Sequence, residues 1–129
     1  MPAEGLMPPP PAERLQLPSV TLCAVSSTNL AATLEAMQLT MQYVDFADAV
    51  LCTHDAGVAD EAECAIRVVP IERLTSARAY SQFMLTRLVD HVDTEHCLVV
   101  QWDGHVIDPA RWRPEFLDYD YIGASWPQF

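Results

Sequence analysis

Cys97-Leu98-Val99-Val100-Gln101-Trp102-Asp103-Gly104 joins a short apolar run to an abrupt polar stop. An apolar run without alternation suits a strand of a parallel sheet, covered on both faces. Asp103 then emerges at the carboxyl end of that strand, the edge at which open α/β sheets hold their ligands. Gly104 has no Cβ, so an anion or a metal ion can approach the backbone closely there.

Working outward from this stretch, the chain alternates strands and helices. Residues 76–92 place Tyr80, Phe83, Met84, Leu88 and His91 on one face and predict a long helix leading into the strand at 96–100. Residues 66–69 predict a short strand stopped by Pro70, and 49–53 (AVLCT) another. Between them, 55–64 is acidic, contains Gly57 and reads as a loop. Leu30, Leu34, Met37 and Met41 recur at helical spacing and predict a helix over 30–43. Before it come a β-branched strand at 19–25 (SVTLCAV) and a polar turn, Ser26-Ser27-Thr28-Asn29, in which Thr28 or Asn29 is the expected N-cap. Downstream, Pro109 and Pro114 interrupt regular structure before a short strand expected at Tyr121-Ile122. The pattern is that of an α/β protein: a Rossmann-like parallel sheet with right-handed crossover helices. The strands at 20–25 and 96–100 are expected to be adjacent and central. No G-x-G-x-x-G follows the first strand and no G-x-S-x-G occurs, which argues against a dinucleotide site and against an α/β-hydrolase.

Charge narrows the partners. The net charge is −11, with seven arginines and no lysine. Nucleic acids and anionic membranes need a basic patch, so neither is an expected partner. An anionic nucleotide remains compatible when a divalent cation mediates the contact. The lack of lysine also counts against an acyl-phosphate mechanism, which wants a cation to anchor the phosphate. The four cysteines form no C-x-x-C pair and the histidines no H-x-x-x-H. Cys23, Cys52 and Cys97 sit in apolar strands and are expected to be buried free thiols, while His105, two residues past Asp103, is placed to reach the same pocket. Residues 1–18 hold six of the ten prolines and are expected to form a disordered, proline-rich leader, with one domain over 19–129. No signal peptide and no apolar run of about 18 residues occurs, so no transmembrane segment is expected and the expected location is cytoplasmic.

Gln101, Asp103, Gly104, Asp108 and Trp112 are followed by Glu115-Phe116-Leu117-Asp118-Tyr119-Asp120-Tyr121-Ile122-Gly123-Ala124-Ser125-Trp126. This series, Q-x-D-G and then E-F-x-x-Y-D-Y-I-G-A-x-W, resembles an uncharacterised microbial domain family related to GT-A-type glycosyltransferases. The resemblance implies a GT-A-like sheet that binds a nucleotide-sugar donor through Mn²⁺ or Mg²⁺. GT-A enzymes hold the metal with a D-x-D triplet; the matching triplet here is Gln101-Trp102-Asp103. Asp103 is then the metal ligand, while Gln101 reaches the ribose or a bound water. Ser26, Ser27 and Thr28 face the base and ribose, and Tyr80 stacks. Trp102, Gly104 and Asp120 complete the candidate set. One carboxylate is enough for a magnesium-like ion that keeps waters and phosphate oxygens as its other ligands.

The residues alone leave other roles open. Asp103 can cap its own turn, the Ser26–Thr28 hydroxyls can cap the following helix, and Tyr80 and Trp112 can simply pack. Glu115, Asp118 and Asp120 lie among aromatic residues, a setting that suits sugar hydroxyls and allows an acid to serve as general base. Related chains continue into a glycine-rich G-N-G-G-F-S-like segment on the acceptor side, and no such segment follows Trp126-Pro127. The expectation is a donor-binding half that does not turn over alone, the acceptor being unspecified. The alternative is a non-catalytic fragment that binds a nucleotide or another chain. The aromatic residues of 119–129 are expected to drive self-association.

Overall fold

The computed structural model describes residues 14–55, 57, 65–104, 106 and 108–120. Its centre is a four-stranded, all-parallel sheet in the order β3-β2-β1-β4, built from β1 (Leu15–Val25), β2 (Val44–Thr53), β3 (Arg67–Pro70) and β4 (His96–Val99). Helix α1 (Leu30–Tyr43) joins β1 to β2, and α2 (Ala77–Thr86) lies between β3 and β4. The α/β, Rossmann-like reading therefore holds. The strands expected at 20–25 and 96–100 are adjacent and parallel, with Val20 opposite His96 and Cys23 opposite Val99.

The two helices cover opposite faces. Leu34 and Met37 of α1 pack on Leu22, Ala24, Ala49 and Leu51. Phe83 of α2, with Leu88, packs on Cys23, Val25, Val50 and Cys52. Alternate residues of β1 thus enter different cores, as the two-residue period of a strand requires. The strand order runs one way from β1 to β3 and the other way to β4, so β1 and β4 flank the point where it reverses. In open sheets of this kind the crevice opens at such a point, beyond the carboxyl ends of the strands.

Several elements depart from expectation. β1 begins at Leu15, not at 19, so residues 15–18 belong to the sheet; Leu17 is buried in a third apolar cluster with Val20, Tyr43 and Val44. Pro18 is accommodated because the β1–β2 register shifts between Leu17 and Thr21, a bulge that frees its position from the ladder. Residues 1–13 lie outside the described part, as do most of the expected 55–64 loop, His105 and the strand expected at Tyr121-Ile122. β2 starts directly after α1, and its added length pairs with the early part of β1. The helix expected over 76–92 ends at Thr86; the chain continues as a 3₁₀ turn, Leu88–His91. The tighter turn still delivers Leu88 to the core. β4 is adjacent to β1 but is the edge strand among the described residues, so Cys97 is exposed while Cys23 and Cys52 are buried. Among the described residues, no helix is long and apolar enough to cross a membrane.

Candidate functional site

A groove of about 410 Å³ opens at the carboxyl ends of β1 and β4. Its wall on one side is Val25, Ser26, Ser27 and Thr28 with Thr33 of α1; on the other it is Leu74 to Ala77 with Tyr80 of α2; Gln101 and Trp102 close it. The structure thus brings together six of the residues singled out in the sequence: Ser26, Ser27, Thr28, Tyr80, Gln101 and Trp102. A second hollow, of about 290 Å³, lies toward the amino ends of the strands between Leu15, Val44 and Trp112. It is almost wholly apolar, so the groove at the carboxyl ends is the one with converging polar groups.

Each wall is fixed by a short-range device. The Ser26 amide donates to the Cys52 carbonyl at 3.0 Å, tying the turn after β1 to the end of β2. The Ser26 hydroxyl donates to the Thr28 carbonyl and accepts from the Thr28 amide, which rounds off the turn. Asn29 then enters the left-handed region (φ 52°, ψ 41°) as the residue before α1. Asn29 occupies the expected cap position, but neither its side chain nor that of Thr28 caps the helix: only the Asn29 carbonyl engages it, accepting from the Thr33 amide at 2.9 Å. Asparagine tolerates this conformation better than most side chains. The Ser27 hydroxyl crosses the groove floor and accepts from the Leu74 amide at 2.8 Å, joining the two walls. Ser76 caps α2 by accepting from the Ala79 amide at 3.0 Å, so the start of α2 faces the groove.

Tyr80 and Gln101 meet at the third wall, where the Gln101 amide donates to the Tyr80 hydroxyl at 3.1 Å. Gln101 and Gly104 exchange backbone hydrogen bonds at 2.9 and 3.1 Å, leaving Trp102 and Asp103 at the tip of a two-residue turn. No glycine among the described residues has a positive φ, and a Cβ added at Gly104 would meet no protein atom within 4 Å. The fold itself therefore does not demand glycine at that position. Asp103 is exposed at the turn tip, beside Trp102 but outside the groove lining. Trp102 is 52% exposed, so much of its indole faces water. Asp120 is exposed past the 3₁₀ turn Pro114–Asp118 and does not line the groove.

Other residues of the late motif have structural positions. Asp108 accepts from the Ala110 amide at 3.1 Å and faces Arg111 across 3.5 Å, capping the turn Pro109–Arg111. Trp112 packs edge-on against Phe116, with ring centroids 5.1 Å apart, and leans on the Leu17–Val44 cluster. Tyr119 is 60% exposed, whereas 121–129, the rest of the segment expected to self-associate, lie outside the described part. Sequence reasoning missed Thr33 and the Leu74–Ala77 wall. The signal was the topology itself: in a parallel sheet the loop after β3 emerges on the same edge as the loops after β1 and β4.

The described lining of the groove contains no charged side chain; apart from the Tyr80 phenol, its polar groups are hydroxyls, one amide and an indole N–H. Among the described residues, no three His, Cys, Asp or Glu side chains cluster as a metal site. A single exposed carboxylate, Asp103, does fit a hydrated divalent ion whose remaining ligands are water and phosphate oxygens.

A family model described as "Protein of unknown function (DUF5672)" matches residues 63–129. The chain belongs to this family. The match includes α2, β4, the Gln101–Gly104 turn and the late aromatic motif, and leaves out β1, α1 and β2. No curated protein and no solved structure matches the chain.

Proposed function

We propose that this DUF5672 member binds a nucleotide-sugar donor in the groove at the carboxyl ends of β1 and β4. The observation that carries the reading is the convergence, at the point where strand order reverses, of the Ser26–Thr28 hydroxyls, Tyr80, Gln101 and a half-exposed Trp102. A neutral lining of hydroxyls and one amide matches ribose and base, which offer many hydrogen-bonding groups and no charge. The Trp102 face supplies a stacking surface, worth about 1–3 kcal/mol per base by analogy with single-stranded nucleic acids. The diphosphate then lies toward the turn tip, where Asp103 would hold Mn²⁺ or Mg²⁺. When bound there, such an ion would neutralise charge on the leaving phosphate. Asp103 orients that end of the donor, and the Gln101–Tyr80 contact fixes the turn that carries it.

One observation on the described residues favours binding without transfer. Among the described residues, the groove lining holds no carboxylate or imidazole to act as general base, and Asp120 stands outside it. Donor binding is therefore the function we assign to these walls. Calorimetry with UDP and GDP, with and without Mn²⁺, tests the assignment. The expected result is metal-dependent binding that Asp103→Ala abolishes and that Trp102→Ala weakens by roughly 5- to 150-fold, the equivalent of 1–3 kcal/mol. Binding that is indifferent to metal and to both substitutions refutes it.

A further inference from the structure

Two cysteines lie diagonally across the β1–β4 ladder, and the groove uses neither. Cys97 pairs in register with Thr21, and Cys23 is two residues further along β1. Both side chains therefore project from the same face of the sheet. Cys23 is completely buried, packed with Val25, Val50, Phe83 and Leu88. Cys97 is exposed on β4, which among the described residues is held on one side only. The Cys23 S–H donates to the Thr21 carbonyl at 3.8 Å, and Cys97 is its diagonal neighbour on the same face of the sheet. Once Cys97 is ionised its sulfur is the stronger acceptor for that S–H, because charge on the acceptor strengthens a hydrogen bond. This contact lowers the Cys97 thiol to about 7, against partial burial that pushes it up. The same contact and burial push Cys23 far up, so it stays protonated. One thiol is thus open to water and ready to ionise, and its neighbour is shielded and keeps its proton. Reactive cysteines have the first character, and a low-pKa exposed thiol beside a second cysteine is the arrangement of redox sensors.

We propose that Cys97 and Cys23 form a reversible redox pair, Cys97 being the thiol that a peroxide oxidises and Cys23 the one that resolves it into a disulfide. In the first step the Cys97 thiolate attacks the terminal oxygen of a peroxide ROOH. The S–O bond forms, the O–O bond breaks, and RO⁻ leaves and takes up a proton as ROH. Cys97 is now a sulfenic acid, oxidised by two electrons while the peroxide is reduced by two. In the second step the charge on Cys97 is gone, and the Cys23 S–H passes its proton to the Cys97 hydroxyl oxygen as its sulfur attacks the Cys97 sulfur. The S–S bond forms, the S–O bond breaks, and the hydroxyl leaves with the Cys23 proton as water. A dithiol reverses the pair by exchange.

Strand geometry says what kind of bond this is. Strands about 4.8 Å apart, with a rise of about 3.3 Å per residue, put diagonal partners roughly 8 Å apart between Cα atoms. Disulfides take about 4.4–6.8 Å. Closure therefore requires β4 to slide along β1 by at least about 2 Å, which a four-residue strand held on one side among the described residues can do more readily than a central one. A bond closed against such resistance is easily reduced, as a switch should be and a structural staple should not. β4 runs directly into the Gln101–Gly104 turn, so the slide carries Trp102, one wall of the groove, with it.

Peptide mapping of the intact chain decides. The protein is treated with hydrogen peroxide near pH 7.5, its free thiols are blocked with N-ethylmaleimide, and it is digested and analysed by mass spectrometry with and without dithiothreitol. The expected product is one dithiothreitol-sensitive peptide pair linking Cys23 to Cys97. It disappears in Cys97→Ser, and in Cys23→Ser it is replaced by a dimedone adduct on Cys97. A link from Cys97 to any other cysteine or to a second chain overturns the proposal. So does Cys97 oxidised to sulfinic acid with Cys23 still free, or Cys97 unreacted. The wild-type map is sufficient by itself, so a folding defect in Cys23→Ser does not blunt the test.

Discussion

Replacing Ser27 with alanine removes a side-chain hydrogen bond that joins the two walls of the groove. In the structure the Ser27 hydroxyl accepts from the half-buried Leu74 amide at 2.8 Å. A typical intramolecular hydrogen bond contributes about 0.5–1.5 kcal/mol net, and a buried donor left without a partner costs about 1–3 kcal/mol. Leu74 is half-buried, so water satisfies its amide in part once Ser27 is gone, and the expected loss is about 1–2 kcal/mol. Urea titration should show a lower midpoint with an unchanged slope, since the surface exposed on unfolding is the same. Amide hydrogen exchange supplies the local readout: the Leu74 amide should lose protection while the centre of β1 keeps its own. If the ordering of the 71–76 loop is fully coupled to binding, donor affinity falls by roughly 5- to 30-fold, the equivalent of the same 1–2 kcal/mol. A loss under about 0.3 kcal/mol with Leu74 exchange unchanged would refute the claim that this bond holds the walls together, since it lies below any net hydrogen-bond value.

Three further outcomes follow from the same structure. Met37, fully buried beneath α1 against Leu22 and Leu51, should cost about 2–5 kcal/mol on replacement by alanine, read from denaturant unfolding; a loss under about 1 kcal/mol would mean that α1 is not packed as described. Asn29 sits at φ 52°, so Asn29→Gly should leave the melting temperature unchanged or raise it, and Asn29→Val should cost about 1–2 kcal/mol; equal melting temperatures would contradict the left-handed cap. Alkylation of Cys97 by iodoacetamide requires the thiolate, whose pKa the Cys23 S–H lowers from 9.0 to about 7. The rate should therefore be low in acid, rise through pH 7 and level off by about pH 8, where an ordinary thiol is still climbing; peptide-resolved mass spectrometry reads it, and a midpoint near 9 removes the Cys23 contact from the account.

The sequence was sufficient for the alternation of strands and helices, because apolar runs and helical spacing are local properties. That carried the α/β class, the turn after β1 and the loop after β4. It also brought out Ser26–Thr28, Tyr80, Gln101 and Trp102, which the structure gathers around one groove.

Tertiary structure decided what local pattern does not contain. Pro18 lies inside β1 because a register shift against β2 makes room for it, and a bulge is a property of two strands. Thr33 and Thr40 read as polar helix positions but are buried; the Thr40 hydroxyl accepts from the Val106 amide at 3.3 Å, pinning the later chain to α1. The Leu74–Ala77 wall faces the groove only because β3 is parallel to β1. Cys97 and Cys23 are far apart in the chain, and their diagonal placement depends on β4 lying next to β1 with Cys97 opposite Thr21. Strand order and register are set by long-range contacts, which bring together residues that no window of sequence contains.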